Sequence, residues 1–288
     1  MFVVAGVSGN TGSVVASTLL DRGKKVRVLV RDVAKAERWA ARGAEVAVAE
    51  LSDTAALANA FGGATAAYVL LPPRHASRAA LAENAQISDS IVAAAKSAKL
   101  AHVVLLSSLG AQVPTGTGLI QSVHDAETKL FASGIPTTAV RPGSFYENSL
   151  PAIGAAKGAG TFPTFYRKDF AVPSVATKDI GRIAAQALIE GPRGNEVIEL
   201  SGPRDLAATD LAAALGRVLG KELTVQEIPE SAVAGTMTSH GASPDVAELF
   251  RAMVHAVNDG TLRFEGGKAR HVRGEVTIED WFRSTAAG

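Results

Sequence analysis

The sequence predicts an α/β protein, a doubly wound parallel sheet with a smaller C-terminal lobe. Three observations lead there. Short apolar runs alternate with helical stretches through the first half. Those runs are apolar rather than alternating, which marks strands covered on both faces. The regularity then breaks after Arg141-Pro142-Gly143. Repeated strand–helix alternation implies right-handed crossovers and parallel pairing. With aromatics at only 5 %, the core must be built from Ala, Val, Leu and Ile, which suit helices lying close on a sheet.

Strands are expected at 2–5, 26–30, 45–49, 66–71, 102–106 and 137–140, each short and without internal Pro. Helices are expected between them at 13–21, 33–41, 54–61, 76–98 and 122–132. Ser52-Asp53 offers an N-cap pair for the third of these. Beyond residue 143, a stretch carrying Phe and Tyr among Gly and Pro runs to about 176. Then 178–190 reads as helix, 196–200 as strand, and 206–219, 245–257 and 278–283 as helices. Residues 1–143 form the expected sheet domain, completed by parts of 170–202. Residues 144–288 form the lobe, interleaved with that sheet and lying over its C-terminal edge, where open α/β sheets bind ligands.

Composition excludes several classes. The balance of 29 Lys+Arg against 28 Asp+Glu leaves no electrostatic footprint for nucleic acid. With no cysteine, disulfides, thiolate metal sites and a Cys nucleophile are all out. His75, His240, His255 and His271 show no ligand spacing with carboxylates, so no metal site is expected. The apolar run that opens the chain stops at Gly6, too short for a signal or a membrane span. A cytoplasmic protein acting on a small molecule is the expectation; a homodimer is left open.

Gly6-Val7-Ser8-Gly9-Asn10-Thr11-Gly12 closes the first strand and opens the first helix. A tight strand-to-helix turn needs a residue free in φ, a pyrophosphate needs backbone without Cβ, and a helix N-terminus offers N–H groups and a positive dipole end. Gly6, Gly9 and Gly12 meet these needs, with the spacing G-x-x-G-x-x-G. The position of the turn between strand and helix makes it a dinucleotide site of a Rossmann-like fold. The second strand ends in Arg31, where NAD-binding folds carry an acidic residue for the ribose 2′-hydroxyl. An Arg there suits a 2′-phosphate, with Lys35 as a second positive charge, and NADP(H) is the expected cofactor. Asp32 keeps the acidic alternative present.

These residues resemble the NmrA-like group of atypical short-chain dehydrogenases, and within it the flavin-independent NADPH:quinone oxidoreductase branch (type 2). The resemblance is carried by Val4 to Gly12, Val30-Arg31-Asp32 with Ala34-Lys35-Ala36, and Ser107-Ser108-Leu109. It continues through His124-Asp125-Ala126-Glu127 with Leu130, Ser133-Gly134-Ile135-Pro136, Arg141-Pro142-Gly143, Phe145-Tyr146-Glu147-Asn148, and the segment 175–180 with Asp179. It implies a cofactor over the turn, touching Gly6, Ser8, Gly9, Asn10, Thr11 and Gly12. Asp53 would border the adenine, Leu71 and Pro72 would flank the cofactor, and Ser107 with Ser108, Pro142 and Gly143 would lie toward the nicotinamide end.

The chain departs from typical short-chain dehydrogenases in lacking the Tyr-x-x-x-Lys pair. The expected positions hold Leu119 and Val123, and Tyr68, Tyr146 and Tyr166 each lack a Lys four residues on. A lysine-assisted tyrosine acid is therefore missing. That speaks against ordinary ketone chemistry and leaves acceptors whose reduced form is a stabilised anion, such as a quinone taking hydride directly. The alternative is a non-catalytic NADP(H)-binding redox sensor. The catalytic candidates are His124, Ser107 and Tyr146. His124 stands in Ser122-Val123-His124-Asp125, which reads as a helix-capping signature. Ser107 ends an apolar strand. Tyr146, with Phe145 and Asn148, would wall a flat pocket. Asp125 and Glu127 are expected to complement the helix dipole, and Lys129 to face solvent.

Overall fold

Eight parallel strands form the main sheet of the computed structural model, which describes residues 1–286. In chain order the first half runs β1 (Phe2–Val4), α1 (Asn10–Asp21), β2 (Val26–Val30), α2 (Glu37–Ala40), β3 (Glu45–Val48), α3 (Thr54–Phe61), β4 (Ala66–Leu70), α4 (Ala80–Ser97), β5 (His102–Leu106), α5 (Ile120–Ala132) and β6 (Thr137–Pro142). The second half adds β7 (Ser144–Phe145), α6 (Leu150–Ala159), β8 (Thr161–Thr164), β9 (Ser174–Val175), α7 (Thr177–Glu190), β10 (Glu196–Ser201), α8 (Ala208–Leu219), β11 (Thr224–Glu227), α9 (Glu230–Ser239), α10 (Pro244–Asn258), β12 (Arg270–Arg273) and α11 (Ile278–Ala286).

The strand order is β12-β10-β6-β5-β4-β1-β2-β3, with every neighbouring pair parallel. Successive side chains of a strand point to opposite faces. Val4, Val28, Tyr68, Val104 and Val140 therefore pack beneath α1 and α7, with Val15, Leu19, Ile180 and Leu188. Val3, Leu29, Val69, Val103 and Leu105 pack beneath α3, α4 and α5, with Leu57, Phe61, Ile91 and Leu130. Both faces are covered through the middle of the sheet, which is why the central strands read as mainly apolar runs, while the edge strand β3 keeps Val46 and Val48 exposed. The lobe has its own core, where Phe162, Leu215, Trp281 and Phe282 join α8, α11 and the surroundings of β8.

Several local expectations are corrected. The sheet takes its last strand from Arg270–Arg273, well outside the 170–202 stretch from which its completion was expected. The helix expected over 33–41 is a 3-10 turn at Val33–Lys35 and a single turn, α2. Asp32 folds back to accept from the Ala34 amide at 3.0 Å and so favours a turn over a helix start. The helix expected from 76 begins at Ala80, whose amide donates to Asp245 Oδ2 of α10 at 2.9 Å. That cap lies far along the chain and leaves no trace in the local sequence. In α5 the start is Ile120, so Ser122 lies within the helix and caps nothing. Its hydroxyl instead accepts from Asn84 Nδ2 of α4 at 3.2 Å.

Candidate functional site

Because all strands run the same way, the loops that leave their C-terminal ends share one edge of the sheet. Gly6 follows β1, Arg31 follows β2, Asp53 lies beyond β3, Leu71 follows β4, Ser107 follows β5 and Gly143 follows β6. The parallel topology thus assembles residues from six segments that no local pattern connects.

The glycine-rich turn has the geometry an anion needs. Gly6 sits at φ +67°, and a Cβ there would run into the Leu70 side chain. At Gly12 a Cβ would lie 2.5 Å from the Ala5 carbonyl oxygen. Gly9, by contrast, has no neighbour closer than 3.4 Å to a built Cβ, so its bare backbone faces open space. It is also the N-cap of α1, makes no side-chain cap bond, and is followed by no acidic residue in the first turn. The first amides of α1 and the positive end of its dipole are left to an outside anion, and the turn fits a dinucleotide pyrophosphate. Ser8 and Asn10 are exposed in the turn, while Thr11 is buried beneath it. Gly12→Ala is expected to push α1 off β1 and lower stability by about 1–3 kcal/mol. A melting curve unchanged from wild type would show that the close approach is not needed.

Arg31 and Lys35 are exposed, and among the described residues neither makes an ion pair. Asp32 is occupied with the Ala34 amide. The positive charge beside the turn is therefore free, while the negative one has one of its two carboxylate oxygens engaged. The structure adds Arg38, which the sequence reading passed over. Its Nη2 donates to the Val7 carbonyl in the glycine turn at 2.7 Å, and its guanidinium lies 4.9 Å from the Trp39 ring centroid. Three cations within eight residues of the strand end were the available signal. Asp53 accepts from the Ala55 and Ala56 amides, capping α3. Leu71 and Pro72 are half-buried past β4. Gly143 packs so closely on Pro173 that a Cβ would collide with it, and its amide donates to Leu200 O at 2.9 Å. Pro142, also buried, accepts from the Leu109 amide through its carbonyl at 2.9 Å.

Ser107 is buried, and its hydroxyl donates to Glu127 Oε1 in a short hydrogen bond. Glu127 is also gripped by Arg141, through Nε at 2.9 Å and Nη2 at 2.6 Å, with both side chains about 5 % exposed or less. Arg141 reaches on to Glu265 at 2.7 Å. Glu127 is thus no exposed partner of a helix dipole, and Ser107 has committed its proton, so it can only accept. Ser108, half-buried beside it, accepts from the Ala111 amide through its carbonyl at 3.2 Å. Lys129, expected in solvent, is bound to Asp89 at 2.8 Å and Asp125 at 2.9 Å.

His124 is half-buried on α5, with Nδ1 2.8 Å from the Ala111 carbonyl oxygen. A carbonyl only accepts, so Nδ1 carries the proton and Nε2 is the free nitrogen. Tyr146 corrects the sequence reading. It is 2 % exposed in the lobe core, edge-on to Trp281, with its hydroxyl 3.4 Å from the Val276 carbonyl. Burial pushes this phenol up to about 12, and a tyrosine enclosed there walls no pocket. Asn148 lies near Ser144 at 3.4 Å, and Tyr166 is the phenol that meets Ser144, with its ring packed among Leu109, Ile120 and Leu262. Burial pushes the Tyr166 phenol up as well.

The sequence model of the NmrA-like family matches residues 1–273. The chain belongs to the NmrA-like family. It is 28 % identical over 255 residues to an NAD(P)H azoreductase of Xenophilus azovorans, covering 88 % of this chain and 86 % of the relative. It is 29 % identical over 251 residues to quinone oxidoreductase 2 of Escherichia coli, covering 86 % and 85 %. The crystal structure of that Escherichia coli enzyme complexed with NADPH superposes with a TM-score of 0.84 at 26 % identity, over 99 % of both chains. As an NmrA-like protein the chain keeps the family's fold, including the sheet edge described above.

Proposed function

We propose that this protein is an NADPH-dependent oxidoreductase that passes hydride directly, without flavin, to a quinone or similar conjugated small molecule. The observation that carries the reading is the full-length likeness to the NADPH-bound quinone oxidoreductase 2, combined with an uncapped α1 N-terminus beside an unpaired Arg31. When bound, NADPH supplies a hydride, carrying two electrons, to the acceptor. The glycine turn would take the pyrophosphate, Arg31 and Arg38 would pair with the 2′-phosphate, and Ser107 would offer lone pairs only. A doubly protonated His124 would donate from Nε2 to the acceptor oxygen and give that proton to the reduced ring, regaining it from solvent; with the oxyanion delocalised over the ring, water can share this task. Azo and quinone acceptors are both conjugated, and holding two planar groups in contact supplies most of the catalysis.

The test is NADPH oxidation with a panel of benzoquinones and naphthoquinones in the absence of flavin. Turnover with one of them, and little with NADH, supports the reading. Tight NADP(H) binding without turnover of any acceptor supports the sensor alternative, which the engagement of the Ser107 proton by Glu127 favours. In the active protein, His124→Ala is expected to lower kcat by roughly tenfold to a hundredfold while leaving NADPH affinity alone. Unchanged kcat would remove the histidine from the mechanism.

A further inference from the structure

Beneath the glycine turn lies a phenol that the proposed reaction does not use. Tyr68 of β4 is fully buried, and its hydroxyl donates to Thr11 Oγ1 at 2.9 Å. Its main chain grips the other side of the turn, because the Ala5 amide donates to the Tyr68 carbonyl at 3.0 Å. One residue therefore holds the chain on both sides of Gly6–Gly12, at Ala5 and at Thr11. Among the described residues no other side chain of the sheet is hydrogen-bonded to the turn. From above, α7 closes on the same point, where a Cβ on Gly181 would lie 2.9 Å from the Thr11 carbonyl oxygen. Thr11 is thus clamped between sheet and helix while its own amide belongs to the first turn of α1.

We infer that Tyr68 is the positioning residue of the cofactor turn, fixing Thr11 from below so that the leading amides of α1 stay aimed at the pyrophosphate. The inference rests on the NADP(H) reading above. Burial raises the Tyr68 phenol, so it stays protonated and donates at neutral pH. Thr11 Oγ1 accepts that hydrogen bond, which is already in place before any ligand arrives. A residue that fixed only the core would support all ligands alike. A residue that fixes the amides should matter to ligands bearing the pyrophosphate and not to those lacking it.

The experiment measures binding by calorimetry, with NADP⁺ and with adenosine 2′-monophosphate, which keeps the adenosine end and lacks the pyrophosphate. Tyr68→Phe is expected to weaken NADP⁺ about fivefold, the worth of one hydrogen bond, and to leave the fragment unchanged. Should Tyr68→Phe fold poorly, the double variant Tyr68→Phe/Thr11→Val removes both polar partners and leaves no orphan in the core. It should fold and show the same selective loss. Wild-type NADP⁺ affinity in either variant, or an equal loss of both ligands, overturns the inference. A wild-type protein that binds neither ligand overturns the cofactor reading and this inference with it.

Discussion

Arg31→Ala is expected to weaken NADPH binding by about 10- to 100-fold and to leave NADH nearly unaffected. The range follows from losing one or two charge-assisted hydrogen bonds to a phosphate dianion at a partly solvated site. The physical case is the contrast between neighbours. Arg31 has no partner among the described residues, whereas Asp32, the group that would hold a ribose 2′-hydroxyl, already gives one carboxylate oxygen to the Ala34 amide. Arg38 is the second expected contributor, since its guanidinium is already held over the turn by Val7 and Trp39. Arg38→Ala should add a smaller loss and also loosen the turn. Fluorescence titration of both reduced cofactors checks the pair. Equal affinities for NADPH and NADH before and after Arg31→Ala would sink the assignment. High salt should weaken NADPH more than NADH, because exposed charges are screened.

The second large effect concerns the buried pair on the other side of the site. Glu127→Gln should lower unfolding stability by about 3 kcal/mol, toward the low end for breaking a buried ion pair, because Glu265 still faces Arg141. Urea denaturation would show the midpoint falling with an unchanged slope. Replacing both partners, Glu127→Leu with Arg141→Met, should be milder than either single change, since no charge is then left alone in the interior. A Glu127→Gln protein as stable as wild type would mean that Arg141 is solvated in solution. The substitution also reaches the site. Gln retains an acceptor for Ser107 but loses the charge that orients it, so the hydroxyl becomes free to turn toward the cofactor edge.

The fold was legible because its main determinant is local and repeated. Most strands from β1 to β6 are largely apolar runs, and each is bounded by a helical stretch or a turn residue. The glycine turn was legible for a similar reason, since three missing side chains in a fixed spacing are visible in any sequence. Arg31 could be placed because it is the first residue after a strand. Tyr146 could not be placed: its sequence neighbourhood is that of a residue just past a strand at the ligand edge. The lobe helix α11, more than a hundred residues away, brings Trp281 against it and buries it. Glu127 was misjudged in the same way. As a carboxylate early in a helix it has the composition of a dipole partner, and only the register of β5 and β6 brings Ser107 and Arg141 to it.

The sequence by itself determined the parallel sheet, the glycine-rich turn and the sign of the charge beside it, because each is written in residues adjacent along the chain. Tertiary structure alone decided which polar groups remain free. It bound Ser107 to Glu127, left His124 Nε2 open by tying Nδ1 to Ala111, set Tyr68 beneath Thr11, and drew the last strand from Arg270–Arg273. The reason is that a hydrogen-bonding group is defined by its partner, and in a doubly wound sheet those partners arrive from different crossovers at a shared edge.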